Sequence, residues 1–548
     1  MWAEEQTQPA RITLPPSRRR RVAATLLWVG AMWFSLVTLA FVNDHLGRIS
    51  PARQIAVYGE LPFRDYFDPG YFLTELASAA LMRVFGDNLL GEALLATVSI
   101  ATGTVLVFLL AMRLSSSVSI SLAASVLALL LLPRAYDYDK VLFYPLGLLL
   151  CWHYVERPSA SRVWVFSAAL VAAALFRYDT GAYLGAAMLV ALAVVHAGNR
   201  RVLIRHAVLL LVAAFCLALP FLAFIQFEGG IADAIDQVVT YGRRETERTR
   251  LPSMRMTFGS PTDANSAANA DVFLTYFFRL APLAGIMLIL HAARSGRASV
   301  GQTARMASLI VACLCLNVFI LREPVAARIG GMAGPMAVLV AWIATYAWSV
   351  GPETVRLPAR LTVAVVLGLT VFSASLSADW RNRFGAGLLH PAYLGDLFST
   401  LSESPPQLDK IPNRSIAGLV RYLRECTAPA DRVLVTWFAP DVYFYAQRGF
   451  AARIVAHFGG HWSEDRFARR SVDALARQAA PVVVTRTGDD RFKDDYPLLA
   501  RFLDDKYTLA GTTDFGDAEV GPAGYSVWTL RDRPAARTYG ATSIPCFW

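Results

Sequence analysis

Residues 22–43 run without one charged side chain, directly after Arg18, Arg19, Arg20 and Arg21. A helix needs about 20 residues to cross the hydrocarbon core of a bilayer, and within it every backbone polar group must be satisfied locally. The run therefore reads as a spanning helix. Basic residues ahead of an apolar stretch also begin a signal peptide. Here the apolar part outlasts the usual core of about 7 to 15 residues, and no small-residue cleavage pattern follows. The expectation is an uncleaved signal anchor.

Ten more apolar runs follow, near 89–112, 118–132, 141–154, 163–176, 181–196, 203–227, 273–291, 304–321, 329–348 and 361–376. With 55% hydrophobic and 17% charged residues, against about 25% charged in soluble domains, the composition excludes an ordinary soluble enzyme. The expected fold class is a polytopic α-helical membrane protein of about eleven transmembrane helices with a C-terminal extracytoplasmic α/β domain. Counting from a cytoplasmic N-terminus, the even connections carry Arg113, Arg157, Arg162, Arg200, Arg201, Arg205, Arg294, Arg297, Arg305, Arg356 and Arg360. This obeys the positive-inside rule. The connections 44–88, 133–140, 177–180, 228–271 and 322–328 then face outward. The expected division is a basic cytoplasmic N-terminus (1–21), a transmembrane domain (22–378) whose first outward loop is 44–88, and a soluble domain (379–548). The location that follows is multi-pass in a bacterial cytoplasmic (inner) membrane.

A net charge of +10 reports first on cytoplasmic loops in such a chain, so no nucleic-acid partner is implied. Only Lys140, Lys410, Lys493 and Lys506 are lysines among 52 basic residues, a bias typical of GC-rich coding, so an arginine alone is weak evidence for phosphate binding. Cys151, Cys216, Cys313 and Cys315 lie in apolar runs and read as small hydrophobes. An oxidising compartment would permit Cys426 and Cys546 to pair; the sequence leaves that open.

Beyond residue 379 the pattern is that of a small α/β domain, with strands expected at 433–438, 482–485, 507–512 and 525–530 and helices near 415–425 and 471–478. There is no dinucleotide glycine fingerprint, phosphate-binding glycine loop or zinc-type cysteine spacing. His457 and His461 flank Gly459 and Gly460 without an HExxH pattern, and read as a surface loop.

Chemistry is expected in the first outward loop. Asp44 closes the first apolar run, at a height where a carboxylate can take a proton from an acceptor hydroxyl beside a lipid-anchored donor. Then come Gly59, Pro62, Phe63, Arg64, Asp65, Tyr66 and Asp68, in a Gly-x-x-Pro-Phe-Arg-Asp-Tyr-x-Asp segment, followed by an aromatic amphipathic stretch and Phe85-Gly86-Asp87-Asn88. In these residues and in its architecture the chain resembles the GT-C class of membrane glycosyltransferases, including protein mannosyltransferase-like and aminoarabinose transferase-like enzymes. The motif match is confined to about the first 90 residues. The resemblance implies a polyprenyl-phosphate sugar donor, a lipid, glycan or protein acceptor, and an acid in the first outward loop as catalytic base or metal-associated carboxylate.

By position Asp44 matches that acid, while Asp68 and Asp65 match a second acidic region. There the lysine-proline-proline of the aminoarabinose enzymes is replaced by Asp68-Pro69-Gly70. The competing reading of Asp65 is a turn or salt-bridge partner of Arg64. For substrate binding the candidates are Arg177 and Asp179, which read equally as an interfacial ion pair, then Arg243 and Arg244, and finally Arg322 and Arg328. Arg243 and Arg244 belong to an outward cluster with Arg248, Arg250 and Arg255, and Glu245 and Glu247 make a self-neutralised helix face the competing reading. A divalent metal is compatible with the class, but no cofactor or ligand spacing is demanded. Two other functions compete: a lipid or polysaccharide transporter or flippase, which would place its charges and repeats near the bilayer midplane, and a noncatalytic envelope scaffold.

Overall fold

The computed structural model describes residues 17–131, 133–248, 267–296, 298–322, 328–349, 353–377, 391–411, 413–488, 490–516, 524–540 and 542–548. Helices α1 (Ser17–Val37), α2 (Asn43–Tyr58), α3 (Phe72–Phe85), α4 (Leu90–Ser115), α5 (Val118–Leu130), α6 (Tyr138–Glu156) and α7 (Ala160–Phe176) come first. They are followed by α8 (Tyr178–Val195), α9 (Arg200–Glu228), α10 (Ile231–Arg248), α11 (Ala267–Arg294), α12 (Val300–Arg322), α13 (Ile329–Ser349) and α14 (Glu353–Ser377). The C-terminal part carries α15 (Pro391–Ser402), α16 (Ala417–Cys426), β1 (Arg432–Val435), α17 (Pro440–Ala446), β2 (Gly449–Phe450), α18 (Asp465–Gln478) and β3 (Val482–Arg486). It ends with α19 (Arg491–Asp495), α20 (Pro497–Lys506), β4 (Tyr507–Thr513), β5 (Tyr525–Leu530), β6 (Arg537–Thr538) and β7 (Pro545–Cys546). Two compact units result: Met1–Leu39, Ala96–Leu219 and Pro252–Leu389 form the first, and Ala40–Leu95, Pro220–Leu251 and His390–Trp548 the second.

Each apolar run of the sequence falls on a helix. Among the described residues six helices (α4, α8, α9, α11, α12 and α13) are long and apolar enough to cross a membrane; α5, α7 and the apolar part of α14 are shorter. Helices α1 and α6 have the length but carry charges at their ends. In the first unit Tyr144, Trp152, Phe166, Met188, Phe278 and Met336 lie in one continuous core. Without a solvent-driven force between helices in lipid, close approach rests on small residues. Gly103 of α4 and Gly181 of α8 show it: a Cβ on Gly103 would lie 2.2 Å from the Val141 carbonyl oxygen, and one on Gly181 2.4 Å from the Ala174 Cβ.

The first run departs from expectation. Helix α1 stops at Val37, Val42 is extended (φ −85°, ψ 166°), and the chain re-enters a helix at Asn43. Asp44 therefore opens α2 and does not close α1. Hydropathy sees only the absence of charge across 22–43, whereas an acid in a first turn complements the positive end of the helix dipole. The expected outward loop is largely helical too, as α2 and α3.

In the second unit the C-terminal sheet has the order β2-β1-β3-β5-β4, with β2, β1 and β3 parallel and β5 antiparallel to both neighbours. The four expected strands are found within a few residues; the two-residue β2 is additional. Leu434, Val483, Phe467, Leu475, Trp462 and Tyr507 fill its core. Cys426 is bonded to Cys546. His457 and His461 are buried, correcting the surface-loop reading. Gly459 and Gly460 adopt φ of 57° and 64°, a left-handed backbone that glycine accepts without strain, and the loop folds inward. There His457 Nδ1 is 3.0 Å from the Val435 carbonyl, and His461 Nε2 is 3.0 Å from Glu245.

Candidate functional site

Helix α2 buries polar residues: His45, Arg48, Ser50, Arg53 and Gln54 are all inside the second unit. Buried polar groups need partners, and most of these have them. His45 Nε2 lies 2.6 Å from Glu92 Oε1, and Ser78 Oγ donates to Glu92 Oε2 at 2.5 Å. Arg53 Nε donates to both oxygens of Asp87 (2.8 and 3.1 Å). Ser50 Oγ donates to the Pro440 carbonyl (2.8 Å), and Gln54 Nε2 to the Phe450 carbonyl (3.2 Å). The Arg48 guanidinium stands 4.4 Å from the Tyr71 ring centroid. Asp44, in the first turn of this anchored helix and one turn before Arg48, is exposed.

Between α2 and α3 the two other sequence candidates separate. Asp65 Oδ2 accepts from the Leu61 N–H and from Arg64 Nε, each at 2.8 Å, and Arg64 also meets Glu228 at 2.7 Å. It is turn partner and ion-pair partner together. Asp68 is completely buried. Its Oδ1 accepts from the N–H groups of Gly70 (2.6 Å) and Tyr71 (2.8 Å), and its Oδ2 has no hydrogen-bond partner. Burial pushes the carboxyl up to about 6, with the two N–H groups opposing. Tyr66 Oη donates to buried Glu75 at 2.6 Å. Burial, then the charge of Asp68, drives Glu75 well above the usual carboxylate range, against Tyr66 and Arg48. A carboxyl near neutrality exchanges protons at physiological pH, which is why such groups cluster at reactive sites.

His45, Arg48, Glu75, Ser78 and Glu92 were not singled out by sequence reasoning. The available signal was His45 and Arg48, three apart and so on one face of a helix that follows directly on an apolar run.

In the first unit the segments 136–140 and 177–179 meet. Lys140 Nζ lies 2.7 Å from Asp137 Oδ1, Arg177 Nη1 lies 3.9 Å from the same oxygen, and Arg177 Nε donates to both oxygens of Asp179 (2.8 and 3.0 Å). Asp137, Asp139 and Asp179 are buried. The Arg177–Asp179 pair is thus one edge of a larger charge network.

Of the arginine cluster, Arg243, Arg244 and Arg248 lie on α10. Arg243 Nη2 and Arg244 Nε both donate to Glu464 Oε1 at 3.1 Å, and Arg244 also meets Glu247 at 3.3 Å. The side chain of Arg248, and Arg250 and Arg255, lie outside the described residues, as does the side chain of Arg322, the last residue of α12. Arg328, half-buried, immediately precedes α13. Among the described residues no three His, Cys, Asp or Glu side chains are grouped to hold a metal ion.

Neither protein-family models nor the curated proteins match the chain. Solved structures do. The crystal structure of ArnT from Cupriavidus metallidurans in the apo state is 15% identical, covering 93% of this chain and 98% of that one, with a TM-score of 0.45. The chain is likewise similar to ArnT from Cupriavidus metallidurans bound to undecaprenyl phosphate, at 15% identity over 94% of this chain and 98% of that one, with a TM-score of 0.48.

Proposed function

We propose that this chain is a membrane glycosyltransferase that moves a sugar from a polyprenyl-phosphate donor to a hydroxyl of a lipid, glycan or protein on the extracytoplasmic face. The observation that carries this reading is Asp44: an exposed carboxylate in the first turn of a helix anchored throughout by buried polar contacts. An acceptor hydroxyl attacks the anomeric carbon as the bond from that carbon to the phosphate oxygen breaks. The hydroxyl proton passes to Asp44, polyprenyl phosphate leaves, and the anomeric configuration inverts. Arg48 places a cation one turn from Asp44, where the leaving phosphate needs one. Glu75 lies within electrostatic reach of Arg48 and of Asp68, and burial raises both carboxyls. In the first unit, Arg177 with Lys140 is a further candidate for the donor's charge. Arg243 and Arg244, each engaged with Glu464, rank below it.

The test is transfer by purified protein in lipid nanodiscs, with polyprenyl-phosphate sugars as donors identified by mass spectrometry of cells with and without the gene. Asp44→Asn keeps shape and cannot take a proton, so turnover should fall about 100 to 10,000-fold with little change in donor binding. Transfer by Asp44→Asn at the wild-type rate would move the base elsewhere. Transport of a labelled lipid in place of sugar transfer would replace the whole reading.

A further inference from the structure

On α2 the residues Asn43, Gly47, Ser50 and Gln54 follow a spacing of four, three and four, which places them along one helix face. All four meet the C-terminal α/β fold within the second unit. Asn43 Nδ2 donates to the Phe438 carbonyl (3.0 Å), and Asn43 Oδ1 accepts from the Asp441 N–H (3.2 Å). A Cβ on Gly47 would touch Pro440 at 3.6 Å, and Ser50 and Gln54 reach the Pro440 and Phe450 carbonyls. The Asn43 amide thus uses donor and acceptor together, which fixes its rotation as well as its place. Its receptor is itself held: Asp441 is buried and accepts from Asn413 Nδ2 (3.1 Å), and the Phe438 ring packs edge-on against Phe458. At its N-terminus helix α2 has no side-chain cap, since Val42 stands at the N-cap without a side-chain hydrogen bond. The start of the helix is therefore tied down from outside, by the residue next to Asp44.

We infer that Asn43 is a positioning residue that couples Asp44 to the Phe438–Asp441 segment of the α/β domain, so that this domain takes part in the reaction. The inference rests on the glycosyl-transfer reading. Misplacing a reacting group by about 1 Å costs on the order of 100-fold in rate, and Asn43 adjoins Asp44 in the first turn of α2, where His45 is held by Glu92 as well.

The experiment pairs two readouts on the full chain in nanodiscs. Hydrogen exchange should quicken about tenfold or more across residues 44–50 in Asn43→Ala, while β1 and β3 exchange as in the wild type, which shows the domain intact. Turnover should fall roughly 10 to 100-fold with an unchanged KM for the donor. Asn43→Asp, which keeps the size but loses the donor to Phe438, should behave alike. Unchanged exchange at 44–50 overturns the coupling, and quickened exchange with wild-type turnover overturns its catalytic role. A wild-type protein that transfers no sugar overturns the glycosyl-transfer reading and the catalytic role with it, and exchange still decides the coupling.

Discussion

Asp68 holds its proton where an unfolded carboxyl would lose it. Its folded value of about 6 against 3.8 means that, from about pH 4 to pH 6, the folded chain binds more protons than the unfolded one. Its contribution to stability therefore falls as pH rises through that window and is flat above it, a loss of about 3 kcal/mol. Asp68→Asn keeps an acceptor for Gly70 and Tyr71 but has no charge to bury. The stability difference between wild type and Asp68→Asn, followed by thermal unfolding from pH 4 to 7, should shift against the wild type by about that amount. A difference that does not vary with pH would return Asp68 to ordinary titration. In the sequence Asp65 and Asp68 look equivalent, two acids three residues apart in an aromatic segment. What separates them is burial: the backbone N–H of Asp68 meets Gln237, 169 residues away, and no local pattern carries that distance.

Among the elements, the spanning helices were the most legible because a run without charge has one stable form in lipid. Their ends were less so. The helix ending at Val37 and the new one at Asn43 share a single hydropathy run, and only the acid in the second residue of α2 signals the restart. Where helices approach closely, glycine is the readable trace, and its consequence is measurable. Gly103→Ala sets a methyl against the Val141 carbonyl, a backbone atom that cannot turn aside, and should cost about 1 to 3 kcal/mol. Gly30→Ala, where nothing lies within 4 Å of the added carbon, should be neutral or stabilising by up to about 1 kcal/mol. Equal shifts in thermal unfolding for the two variants would show that the α4–α6 approach does not restrict that position. The inward fold of His457 and His461 had no such trace, since two glycines permit a surface loop as readily as a buried one.

For the whole molecule, the sequence places a soluble domain after 379 and assigns 44–88 to the membrane part. The compact second unit gathers Ala40–Leu95 and Pro220–Leu251 with His390–Trp548. Order along the chain shows which segments exist, and contacts in three dimensions show which belong together, among them the α2 stripe and the Arg470–Asp233 pair. The orientation in the bilayer remains a prediction: an alkaline phosphatase fused after Trp380 should be active and one fused after Arg201 inactive, and the reverse pattern would remove Asp44 from the extracytoplasmic face.

The three-part make-up of the second unit also sets a schedule. Synthesis proceeds at about 5 to 20 residues per second, and Phe438 lies 395 residues after Asn43. Helix α2 is therefore made roughly 20 to 80 s before the strand and turn that will receive it. An apolar face left uncovered for that long would invite aggregation. Asn43, Gly47, Ser50 and Gln54 present water with a face it can solvate, so the nascent segment stays free to dock once the rest of its unit arrives.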